Sequence, residues 1–124
     1  MATFMALFDG ATTPWRADPV ALTPAIRALW PDAEVDASHR SEACGFRWTA
    51  ETEEGPVEAY LHEDGTCLYL DTSLADAARL ACLFRRFVPP DIELVLCDQG
   101  YNFHLALMPG IANTELIAQM HSVG

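Results

Sequence analysis

The sequence predicts an α+β domain: an antiparallel sheet of about five to seven strands with two or three helices packed mainly on one face. Three observations predict it. Apolar residues alternate at period two through residues 46–71, in three runs separated by turn signals. Directly afterwards Leu74, Ala77, Ala78, Ala81, Phe84 and Val88 form a stripe at helical spacing. A second pair of alternating runs then occupies residues 92–107. The chain has 124 residues, which suits one domain over residues 1–124, burying roughly two thirds of its unfolded surface.

Taken in order, residues 3–8 are a short aromatic and aliphatic run closed by Asp9-Gly10, which reads as a strand and its turn. A helix follows, with Leu22, Ile26, Leu29 and Trp30 on its apolar side and Pro31-Asp32 at its end. Asp18 can cap it with Pro19 at the first helical position, or Thr23 can cap with Pro24 there. Pro24 inside one long helix loses a hydrogen bond, so a break near Thr23 is the cheaper arrangement. Residues 34–37 suggest a short strand and residues 38–42 a polar loop. Ser73 caps the best helix of the chain by accepting from the Asp76 amide, and Pro89-Pro90 stops it. Asp76, Arg79 and Arg86 lie opposite its apolar stripe. Arg85 lies close to that stripe, where it packs its stem and leads its head out or pairs with a carboxylate. Pro109-Gly110 breaks the chain before a final short helix capped by Asn113, with Leu116, Ile117 and Met120 facing inward.

Turn positions set register, and register sets faces. Asp64-Gly65 as a two-residue loop pairs Leu61 with Leu68 and His62 with Cys67. Glu54-Gly55 as the preceding loop pairs Trp48 with Leu61 and Thr49 with Tyr60. One face then carries Phe46, Trp48, Val57, Ala59, Leu61, Leu68 and Leu70, which is the core. The other carries Arg47, Thr49, Glu51, Glu58, Tyr60, His62, Cys67, Tyr69 and Asp71. With Gln99-Gly100 as its loop, the second hairpin turns Leu94, Leu96, Phe103 and Leu105 inward. It turns Val95, Cys97, Asn102 and His104 outward.

Charge narrows the function classes. Eighteen acidic residues face seven basic ones, a formal net charge of −11, and every basic residue is arginine. Residues 1–62 carry −6 and residues 63–124 carry −5, so the acidity is spread along the chain. A nucleic-acid partner or an anionic membrane needs a basic face, which this chain does not supply. Solubility accounts for an acidic surface without any function. Glu51, Glu53, Glu54, Glu63 and Asp64 nonetheless cluster at the turns of the three-stranded meander, as a patch that would attract a basic partner. Arginine without lysine, alongside abundant alanine, is also associated with GC-rich bacterial genomes.

Chemistry-bearing motifs are sparse. Cys44, Cys67, Cys82 and Cys97 are nowhere closer than fifteen residues, so no C-x-x-C pair forms. The first residues lack a basic region and a long apolar run, and no stretch approaches the ~20 apolar residues of a membrane span. Reduced, buried cysteines in a cytoplasmic protein are the expectation. Nucleotide-loop, nucleophile-elbow and H-E-x-x-H signatures are missing. His62, Cys67, Cys97 and His104 would meet on the outer face if the two hairpins were neighbours, giving zinc-type ligands or a Cys–His pair.

With the short strand at residues 34–37 set aside, the order helix, three strands, helix, two strands, helix over roughly residues 18–122, with small size and low pI, resembles the type III secretion chaperones. Those are small acidic cytoplasmic dimers that hold a partner chain without ATP. The resemblance implies that the helix of residues 73–88 makes a dimer contact; the strand at residues 3–8 lies outside the shared order. In bulk properties the chain is also similar to immunity proteins, which neutralise basic toxins.

The expected function is a non-enzymatic cytoplasmic protein-binding module without cofactor or metal, serving as adaptor, chaperone or immunity factor. Its partner-binding residues are Arg47, Thr49, Glu58, Tyr60, His62, Cys67, Tyr69 and His104, beside the acidic patch. The partner is a protein, with basic character favoured, and a homodimer stays open. The alternative is a small enzyme or metal-binding protein using the Cys/His set.

Overall fold

A short, almost wholly apolar strand, Ala2–Leu7 (β1), stands at the middle of the sheet. The computed structural model describes residues 2–36, 46–62, 65–98 and 104–123. The chain continues through α1 (Pro19–Leu29), β2 (Glu34–Asp36), β3 (Phe46–Thr52), β4 (Gly55–Leu61), β5 (Cys67–Thr72), α2 (Leu74–Phe87), β6 (Leu94–Asp98), β7 (His104–Leu107) and α3 (Asn113–Val123). The seven strands form one sheet in the order β2-β3-β4-β5-β1-β6-β7, antiparallel throughout. The domain is therefore the α+β fold that the periodicity predicts. None of the described helices is long and apolar enough to cross a membrane.

β1 pairs with β5 on one side and β6 on the other. Phe4 and Ala6 point into the core, while Thr3, Met5 and Leu7 remain half-buried on the far face. On the far face these residues stand between the side chains of β5 and β6 and are only half-exposed, which suits an apolar run better than clean alternation. β5 and β6 both run antiparallel to β1, so they are parallel to each other, and α2 makes the crossover between them. Four strands, β2 to β5, lie between α1 and α2 along the chain, and β1 runs through the centre of the sheet.

The inner face buries Trp48, Val57, Ala59, Leu61, Leu68, Leu70, Leu94 and Leu96 beneath the helices. α2 lies against the sheet between α1 and α3. Ser73 caps it, its side chain accepting from the Asp76 amide at 3.3 Å. Neighbours on three sides leave only Arg79 and Arg86 of α2 exposed. The helix to which the resemblance assigns a dimer contact is thus largely enclosed within one chain.

Five expectations are corrected. α1 is one helix with Pro24 inside it and Asp18 as its cap. Burial of Leu22 and Ile26 on consecutive turns outweighs the bond lost at the proline, and Thr23 donates to the Pro19 carbonyl at 2.9 Å instead of capping. Both long hairpins are displaced by two residues from the expected register, so that Phe46 pairs with Leu61 and Leu96 with Leu105. The first of them turns at Glu53-Glu54, with Thr52 opposite Gly55 and Gly55 at φ 117°. An even shift preserves the faces. Asp76 is fully buried rather than on an exposed side, and Arg85 turns inward to backbone carbonyls. Asn113 is the first residue of α3, whose first bond runs from the Leu116 amide to the Ala112 carbonyl. Leu61 pairs with Leu68 as expected. Cys44, Glu63, Asp64, the Gln99-Gly100 turn, Asn102, Phe103 and the loop at 38–42 lie outside the described residues.

Candidate functional site

The face of the sheet turned away from the helices is built in rows. Register places Arg47, Tyr60, Tyr69, Met5, Cys97 and His104 side by side across six strands. A second row holds Glu34, Thr49, Glu58, Asp71 and Thr3. In a third, Cys67, Leu7, Val95 and Ala106 follow one another, with the His62 amide bonded to the Cys67 carbonyl at 2.9 Å. Polarity therefore changes across the face. Toward β2 and β3 it is acidic and hydroxylic; over β1 and β6 it is apolar and sulfur-rich.

All eight residues expected to bind a partner share this face. Arg47, Thr49, Glu58, Tyr60, His62, Cys67 and Tyr69 are half-buried and His104 is exposed. The His62 and Tyr69 rings stand 6.4 Å apart on neighbouring strands. Tyr60 donates its hydroxyl to Glu58, and burial, with the Glu58 carboxylate beside it, pushes the phenol pKa up against the opposing pull of Arg47. Met5 and Leu7 join this face because β1 sits between β5 and β6, a placement that local pattern does not contain.

The Cys/His set does not meet at one point. Cys97 pairs with His104, and His62 lies opposite Cys67, but β1 separates the pairs by two strand spacings, about 10 Å. Cys97 is only 1% exposed despite facing outward. Its thiol pKa is raised by burial and by Asp98, which works against a thiolate nucleophile. Among the described residues, no group of three or more His, Cys, Asp or Glu is arranged to hold a metal ion.

Cys82, buried on α2, is also pushed up, chiefly by burial. An acid whose folded pKa is raised contributes stability in full below its unfolded pKa and loses it as pH rises through the folded value. Stability is therefore expected to fall once pH exceeds about 8.5, where unfolded thiols ionise, with Tyr60 adding to the loss above about 10. Urea midpoints at neutral and alkaline pH measure this, and C82A/C97A should flatten the decline. A midpoint that does not move between these pH values contradicts it.

The described part of the acidic patch sits at one corner of the sheet. Glu51, Glu53 and Glu54 are exposed at the β3–β4 turn, beside Trp30 and Arg79 in a shallow recess of about 440 Å³. Beneath it, Thr52 donates to the buried Asp76 carboxylate at 2.6 Å, and Arg79 pairs with the same carboxylate at 3.2 Å. These contacts tie the turn to α2.

A larger cleft of about 1110 Å³ opens at the opposite corner. Leu7, Val95, Cys97 and His104 lie along its floor, the loop of residues 9–14 makes one wall and residues 91–93 the other. Arg16 braces the first wall, donating to the carbonyls of Gly10 at 3.0 Å and Thr13 at 2.8 Å. Trp15 anchors the same loop between Phe8 and Phe87, with ring centroids 5.6 and 6.2 Å away. Ala17 donates to the Gly65 carbonyl at 3.1 Å, and Gly65 keeps φ 75° where a Cβ would press on the Ala17 backbone at 3.2 Å. Arg85 braces the second wall through the Ile92 carbonyl at 2.9 Å. The sequence marks both walls only as turn signals, Asp9-Gly10 and Pro89-Pro90-Asp91. Their meeting depends on β6 pairing with β1.

No family model, no curated protein and no solved structure matches this chain significantly.

Proposed function

We propose that the protein is a non-enzymatic binding module of the cytoplasm that holds a basic protein segment on its open sheet face. One observation carries the reading. The central row from Arg47 through Tyr60, Tyr69 and Met5 offers aromatic and thioether surface, flanked by a row bearing Glu34, Glu58 and Asp71. Tyrosine and methionine are enriched where proteins meet, and complementary charge speeds and orients encounter. A second copy of this chain brings the same −11 charge, so a basic partner is favoured over self-pairing. Thiols outside any disulfide at Cys82 and Cys97 suit a reducing compartment.

Affinity capture on the immobilised chain tests this at low and at high salt. A basic protein should be retained at low salt and released as salt rises. Y60A/Y69A, with an unchanged circular-dichroism spectrum, should reduce retention at least about tenfold, the scale of an interface hot spot. Retention insensitive to both changes, or no retained protein, defeats the proposal. Whether the captured partner is folded separates an immunity-like role from the chaperone-like role that the secretion-chaperone resemblance implies.

A further inference from the structure

We infer that the cleft at the β1–β6–β7 corner is a receiving site for an arginine side chain flanked by apolar residues, presented by an extended segment of the partner. This rests on the reading of the open face as a partner-binding surface, and adds the chemistry that would be read there.

Shape and preorganisation come first. The cleft is a floor of strand residues between two loops, each braced by an arginine. Arg16 engages the Gly10 and Thr13 carbonyls, and Arg85 engages the Ile92 carbonyl from within the core. Walls fixed in this way do not have to be ordered by the ligand, which lowers the cost of binding.

Charge sets the occupant. Asp9, Asp91 and Glu93 are exposed along the two walls, on both sides of an apolar floor that includes Leu7 and Val95. The only basic side chain lining the cleft among the described residues is His104. Arg16 and Arg85 direct their guanidinium groups to backbone carbonyls of the walls, so the three carboxylates are the groups offered outward. One Asp9 oxygen accepts from the Ala11 amide at 2.9 Å. That bond holds the carboxylate at the lip of its loop.

A cation on a long aliphatic stem matches this distribution, because the stem lies on apolar surface while the head reaches the rim. Arginine suits it better than lysine. Its planar fork gives several donors to carboxylates on two walls, and it sheds water more readily than an ammonium. Apolar neighbours on the ligand would cover Leu7, Val95 and the surface around Met5, which continues the central row out of the cleft.

The test uses the full chain, isotope-labelled, titrated with acetyl-Leu-Arg-Leu amide and with the same peptide carrying citrulline, which keeps the shape and removes the charge. The arginine peptide should shift the backbone amides of residues 9–13, Val95 and His104. The citrulline peptide should bind at least about tenfold more weakly, as should the arginine peptide to D91N/E93Q. Both substitutions are on exposed side chains, and an unchanged melting temperature confirms that the variant is folded. Equal binding of the two peptides overturns the inference. Shifts confined to Tyr60 and Tyr69 also overturn it, while leaving the open-face proposal standing. No shift at all likewise overturns it, and the salt-dependent capture then judges the open face separately.

Discussion

Replacing Arg85 with methionine is expected to lower the unfolding free energy by about 3–5 kcal/mol. Arg85 is 3% exposed, and its guanidinium donates to four carbonyls: Ile92 at 2.9 Å, Leu107 at 3.2 Å, Val88 at 3.1 Å and Pro89 at 2.6 Å. Those acceptors belong to the end of α2, the turn after it and the end of β7. The bonds to Ile92, Leu107 and Val88 are buried and that to Pro89 half-buried, and each carbonyl loses this partner when the guanidinium is removed. Burial pulls the arginine pKa down from its ordinary value, but a guanidinium stays charged at neutral pH. The side chain thus carries a desolvation cost that the four charge-assisted bonds offset. Methionine fills the space of the stem and isolates the polar loss. Lysine should recover less than half of it, since one ammonium cannot span carbonyls from three segments as a fork does. Urea denaturation is the measurement, and the midpoint should drop with an unchanged slope. An unmoved midpoint would mean that these carbonyls find other partners. Because Arg85 holds the Ile92 carbonyl, the methionine variant should also loosen the cleft wall at residues 91–93.

Trp48→Ala should cost a similar amount, about 3–5 kcal/mol. Trp48 is the largest of the fully buried side chains, 1% exposed, on a strand near the edge of the sheet. Ile26, Trp30 and Ala33 from the α1 side and Leu80 of α2 lie around it. Its indole nitrogen donates to the Thr23 hydroxyl at 2.9 Å, and that hydroxyl donates in turn to the Pro19 carbonyl. The tryptophan therefore fills the gap beneath α1 and holds the turn where Pro24 interrupts the helical ladder. Alanine leaves a large cavity and releases this turn. Phenylalanine keeps much of the volume and loses only the bond, so about 1–2 kcal/mol separates it from the native chain. Equal losses for the two variants would show that the bond to Thr23, and not volume, dominates.

The two hairpins show how much of the site was legible. Period-two alternation alone assigned Tyr60, Tyr69, His62 and His104 to the outer face. It does so even though the turn residues imply registers two residues away from the observed pairing. Side chains alternate with period two, so an even error changes neighbours without changing faces. Arg85 and Asp76 went the other way. Helical spacing put Asp76 opposite the stripe, yet α3, α1 and the β3–β4 turn close around α2, and both charged residues are buried with partners from other elements. A helix wheel describes one contact direction, and α2 has several.

Strand and helix identities, the antiparallel meander, the open polar face and the acidic balance are all set by local pattern: period, turn residues and composition act within a few positions. The place of β1, the row that joins Arg47 to His104, the separation of the two Cys/His pairs and the cleft were decided only in the tertiary structure. Each depends on β1 pairing with β5, sixty to seventy positions along the chain, and with β6 beyond it. Such pairing is selected by the packing of one whole face against the helices, and no short stretch of sequence contains that choice.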